Sequence, residues 1–174
     1  MAFRSMIGAL LASAAIALSF WAVAPASATP DRLDKADADL LVAIDAANRA
    51  EIASGTLALE KSGNTELKEL ADAMIADHTK AGIEIKKLAV ARNFKFPADA
   101  KAERDSPWPE LAGVESKGFD QVFVRAAIAH HVVAEQLLKR TQMSAQDVEL
   151  RELAARMLPV AQGHLQSARR LTPR

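Results

Sequence analysis

Apolar positions recur every three to four residues along four stretches of this chain, and a polar interruption breaks the apolar face of each. In the second stretch Leu67, Leu70, Ala71, Met74 and Ile75 lead to His78, and Ala81, Gly82, Ile85, Leu88 and Ala89 continue from it. At 3.6 residues per turn these positions share one side of a helix, so His78 stands in the middle of the buried face. The first stretch aligns Leu40, Ile44, Ala47, Glu51, Ser54, Gly55 and Ala58, with Glu51 as its interruption. The third is apolar nearly all round (Phe119, Val122, Phe123, Val124, Ile128, Val132, Val133, Leu137, Leu138), which predicts the most buried helix, and it holds the pair His130-His131. The fourth aligns Leu150, Leu153, Ala154, Met157, Leu158, Ala161, His164, Leu165 and Ala168 around His164.

These stretches predict helices over about Ala36–Ser62, Glu66–Arg92 and Phe119–Gln142, and a fourth that ends near Leu171. Gly63 is a stop for the first, and Asn64 or Thr65 caps the second. So short a connection folds the two into an antiparallel hairpin. Ser144-Ala145-Gln146-Asp147 resembles a capping box for the fourth helix, with Asp in place of Glu or Gln. Pro159 falls inside that helix and predicts a bend just before His164. Between Phe96 and Gly118 the helical pattern fails at Pro97, Pro107 and Pro109, and Gly113 and Gly118 follow. A connection of that length can travel the length of a bundle, with Trp108 as an apolar plug against it. The expectation is therefore an all-α fold: two antiparallel hairpins joined by a long crossover, the up-down-down-up order of a ferritin-like four-helix bundle. A faint internal repeat, Met74-Ile75-Ala76-Asp77-His78 against Ala127-Ile128-Ala129-His130-His131, fits that arrangement.

Composition narrows the class. The 174 residues contain 22 Lys plus Arg, 22 Asp plus Glu, no Cys and no Tyr. A neutral balance predicts no nucleic-acid partner and no bulk cation store. The absence of Cys excludes disulfides and lipoprotein attachment. Arg4, the apolar run Met6–Val23, Pro25 and then Ala26-Ser27-Ala28 read as an export leader over residues 1–28, cleaved ahead of Thr29. The mature chain, 29–174, is then one bundle domain with no membrane span, exported to the periplasm or beyond; protein partners and a homo-oligomer stay open.

The four interruptions carry the chemistry. Glu51, His78, one of the pair His130-His131, and His164, one from each helix, form a candidate four-ligand site for a divalent ion such as Zn, Cu, Fe or Mn. Asp77 suits an acceptor behind an imidazole, His130 is the alternate to His131, and Glu135, four residues after His131, is a further candidate. The competing expectation is a metal-free polar layer, in which Glu51 pairs with one protonated imidazole and the module acts through its surface. Free imidazoles protonate below about pH 6 and would then stop binding metal.

Glu51, the Met-x-x-Asp-His run ending at His78, Phe119-Asp120 followed by His131, and Leu158-Pro159 followed by His164 resemble a bacterial exported ferritin-like family of unknown function. Its members are often labelled predicted outer-membrane proteins. The resemblance covers the mature chain, favours His131 over His130 and implies a cell-envelope setting, but brings no reaction. Phe123 departs from it, standing where the family often has Tyr. The di-iron pattern of ferritin itself is missing: Ile75 and Ala161, not Glu, precede His78 and His164 by three residues. There is no Gly-x-Ser-x-Gly elbow or phosphate loop. The reading leans away from an enzyme.

Overall fold

Three of the four helices begin where a short polar side chain satisfies their first free amide. Asp34 accepts from the Asp37 amide at 2.8 Å ahead of α1, Lys35–Lys61. Asn64 accepts from Leu67 at 3.1 Å ahead of α2, Thr65–Ala91, and Asp147 from Leu150 at 3.0 Å ahead of α4, Val148–Arg170. The remaining helix, α3, spans Ser116–Ser144, but Lys117 and Gly118 (φ 90) break its first turn. Regular geometry starts at Phe119, where the apolar pattern begins. These helices come from a computed structural model that describes residues 32–97 and 105–172. The expected leader, 1–28, lies outside the described residues.

The expected capping role of Ser144 is corrected. Ser144 closes α3 and donates its hydroxyl to the Arg140 carbonyl at 2.9 Å. Asp147 is the cap instead, because Asp37 reaches across from α1 and accepts from the amides of Gln146 (3.1 Å) and Asp147 (2.7 Å). That leaves the Asp147 carboxylate free to hold Leu150 and the Arg92 guanidinium, whose Nε lies 2.5 Å away.

The same bonds fix the topology. The start of α1, the end of α2, the end of α3 and the start of α4 meet at one end of the molecule through Asp37, Arg92 and Asp147. At the other end Lys61, closing α1, donates to the Val114 carbonyl just ahead of α3 (2.5 Å). The order is up-down-down-up, two antiparallel hairpins with a crossover that returns along the bundle. On its way the crossover is tied to α1 by Arg49–Asp105 (2.8 Å) and by the Trp108 amide on Ser54 Oγ (2.9 Å). A single 3₁₀ turn, Pro109–Leu111, follows Trp108, which is buried as the plug expectation requires.

Two apolar clusters fill the interior. One gathers Leu67, Met74, Trp108, Phe119 and Phe123; the other gathers Leu41, Ile44, Ile85, Leu138 and Leu150. Helices α1 and α2 approach closely at Gly55, where an added Cβ would meet the Ala71 carbonyl at 3.1 Å. One expectation fails: α3 is not buried all round, since Val133 is 61% exposed. Each helix of a four-helix bundle keeps an outer face, and apolar character alone does not place a residue on the inner one. Among the described residues no helix is long and apolar enough to cross a membrane.

Candidate metal centre

Between the two apolar clusters lies a layer of buried polar side chains from all four helices: Asn48 and Glu51 from α1, His78 from α2, His131 from α3 and His164 from α4. Each imidazole is held through one ring nitrogen. His78 Nδ1 donates to Asn48 Oδ1 at 3.0 Å. His131 Nδ1 donates to the Ala127 carbonyl, one turn back, at 2.8 Å. His164 Nε2 donates to Asp77 Oδ2 at 3.3 Å. A carbonyl, amide or carboxylate oxygen can only accept here, so each bond fixes the tautomer and leaves a lone pair on the other nitrogen. Those other atoms, His78 Nε2, His131 Nε2 and His164 Nδ1, are buried and have no hydrogen-bond partner among the described residues. One ligand nitrogen from each of the three rings falls within 4.8 Å of the others, with ring centroids 5.4–6.4 Å apart.

Burial sets the protonation states. It pushes the His78 imidazole down to about 3, helped by His164 and His131 and opposed by Asp77. It pushes His131 down to about 4 against the pull of the Ala127 carbonyl. His164 is lowered by the same cause, with Asp77 opposing. Near neutral pH all three rings are uncharged, the form that ligates a metal. Glu51 moves the other way: burial raises its carboxyl to about 8. Its Oε2 lies 3.5 Å from His131 Nε2 and has no hydrogen-bond partner.

Of the residues expected from the sequence, His78, His131 and His164 are brought together. Glu51 reaches the same level beside His131, but stands outside the group of three mutually close donors. Asp77 sits behind His164, not behind its neighbour His78, and is also paired with Lys80 at 3.4 Å. His130 turns away: its ring stacks on Trp108 (centroids 4.8 Å apart, 2° between planes) and its Nε2 meets Glu110 at 3.1 Å. Glu135 does not join the trio. It accepts from Lys139 at 2.6 Å and from Gln162 at 3.0 Å on the outer surface, because a lysine one turn further on offers it a partner without desolvation. Asn48, the acceptor that orients His78, was not anticipated. It lies one turn before Glu51 on α1, and that spacing was the available signal.

A cavity of about 200 Å³ opens beside this layer, with Asn48, Glu51, His78 and His131 on its polar side and Ala81, Leu137 and Met157 among its apolar walls.

Fold and site together define an all-α bundle with a histidine cluster in its core. The chain belongs to DUF4142, a family described as a domain of unknown function, whose profile matches residues 22–171. Of the resemblance read in the sequence, membership of a family of unknown function is shown; the ferritin-like label is not. Among solved structures it is similar to CopM in the Ag-bound form (22% identity, TM-score 0.63, covering 77% of this chain and 92% of that one). It is similar also to CopM in the Cu(II)-bound form (21%, 0.62, 77% and 94%) and in the Cu(I)-bound form (21%, 0.63, 77% and 93%). At this identity the likeness shows the fold. No curated protein matches the sequence.

Proposed function

We propose that this protein binds one metal ion in the bundle core through His78, His131 and His164, with Glu51 as the adjoining carboxyl group, which gives up its proton when a cation arrives, and that it does so in the cell envelope. The observation that carries the reading is the pairing pattern of the rings. Each spends one nitrogen on an orienting acceptor and leaves the other unpaired among its neighbours, which is the arrangement that metal-ligating histidines adopt. Metal–nitrogen bonds of about 2.0–2.1 Å put tetrahedral ligands about 3.3 Å apart, so the widest pair, up to 4.8 Å, closes by about 1.5 Å on binding.

Imidazole donors suit Cu, Zn and Fe, whereas Mn prefers oxygen. The likeness to CopM, whose structures carry Ag, Cu(II) and Cu(I), makes copper the first ion to test. The role we infer is binding, not turnover. One contact favours a second reading, the metal-free polar layer: Glu51 lies 3.5 Å from His131 and could serve as its partner.

Thermal unfolding of protein purified without an affinity tag separates the two. An ion present at 100 times its Kd stabilises the fold by about 2.7 kcal/mol, or roughly 8 °C in Tm for a domain of this size. Copper or zinc should give that rise; His78→Ala should abolish it, and His130→Ala should keep most of it. A Tm indifferent to both ions would leave the polar-layer reading standing.

A further inference from the structure

We propose that an ion held by the trio keeps an open position toward the neighbouring cavity, and that a short-chain monocarboxylate from solution occupies it. This rests on the metal reading above. The cavity meets the layer at His78, His131 and Glu51, and Ala81, Leu137 and Met157 are among its walls. At about 200 Å³ it has several times the room that one water needs. Three unpartnered polar atoms, Glu51 Oε2, His78 Nε2 and His131 Nε2, belong to residues that line it.

The ligand class follows from counting charge. The three imidazoles are neutral ligands, so a divalent ion brings two positive charges into a buried layer. Glu51 can offset at most one. The other nearby carboxylates are balanced by their own cations: Asp77 by Lys80 at 3.4 Å, and Glu84 by Arg156 at 3.0 Å, all four of them lining the cavity. One positive charge of the ion therefore stays unpaired in a buried layer, a costly state that a single monoanion relieves. A carboxylate head meets the ion, and an alkyl tail lies against Leu137 and Met157. Each methylene buried there should tighten binding about fourfold. A monovalent ion, in contrast, is balanced by Glu51 alone and calls for no anion.

The test uses the full chain loaded with Co²⁺, whose visible spectrum reports coordination, and sodium acetate, propionate and butyrate as probes. Butyrate should change the cobalt spectrum saturably at one per metal. Affinity should climb about fourfold per methylene along the series. Calorimetry should find no butyrate uptake by metal-free or Ag⁺-loaded protein. Ala81→Leu in the wall, and independently Val160→Phe in the lining, should still take up cobalt but weaken butyrate at least about tenfold by crowding the pocket. A cobalt spectrum indifferent to butyrate, a flat series, or equal uptake by metal-free protein would overturn the proposal while leaving the metal site intact. Failure to take up cobalt, zinc or copper would overturn both.

Discussion

His78, His131 and His164 are each 7% exposed or less, and what separates them from ordinary buried histidines is the nitrogen each leaves unpaired. Their lowered pKa values also move the pH at which metal is lost. Free imidazoles would protonate near pH 6, but His78 and His131 are held down to about 3 and about 4. The copper-dependent gain in Tm should therefore persist at pH 5 and disappear as the pH falls through about 4. Without metal, the unfolded chain takes up protons below about pH 6.5 that these folded rings refuse, so stability falls as pH drops through that window. Glu51 acts in the opposite sense. Its proton, kept to about 8 in the fold, contributes stability that is complete below about pH 4.5 and is lost as the pH rises through 8. Urea titrations of metal-free protein from pH 4 to 9 should thus show a maximum near pH 6.5, and Glu51→Gln should flatten its alkaline side. A monotonic rise to pH 9 would contradict this. His78 and His164 were legible because each interrupts a clean apolar stripe. His131 was not legible from periodicity, since α3 is apolar on both sides of the His130-His131 pair; the stacking of His130 on Trp108 decides between them. Glu135 was misleading because helical spacing cannot show that Lys139 competes for it.

The helix boundaries were legible to within a few residues, because Asn64, Gly118 and the apolar periodicity each mark a place where the chain changes geometry. The α3–α4 junction was misread, and the reason is non-local. Asp37, more than a hundred residues away, fixes the turn amides and so frees Asp147 to cap. Nothing in the local run Ser144–Asp147 announces that partner. Asp147→Ala should remove the cap of α4 and the main partner of the buried Arg92, while Glu149 at 3.2 Å still holds the guanidinium. A loss of about 3 kcal/mol is expected, from one N-cap and a weakened buried pair. Lys139→Ala, which breaks a pair on the outer surface, should cost less than about 0.5 kcal/mol. Denaturant unfolding of both variants checks the contrast, and equal losses would mean that the junction is not a structural clasp.

Across the whole molecule, up-down-down-up order follows from two short turns and one long crossover, and that much could be read from segment lengths. The order brings α1, α2, α3 and α4 past one another at the level of the polar layer, so that residues from positions 48 to 164 converge. Export is argued from the sequence: Ala26-Ser27-Ala28 after Pro25 should give a mature N-terminus at Thr29 in the cell-envelope fraction. N-terminal sequencing that recovers Met1 from the membrane pellet would contradict it. Anomalous diffraction at the copper edge from crystals of copper-loaded protein shows whether an ion sits inside the bundle. One strong peak is expected, bounded by His78 Nε2, His131 Nε2 and His164 Nδ1, with Glu51 beside it. Copper found only on surface side chains, with the three rings still unbridged, would contradict it.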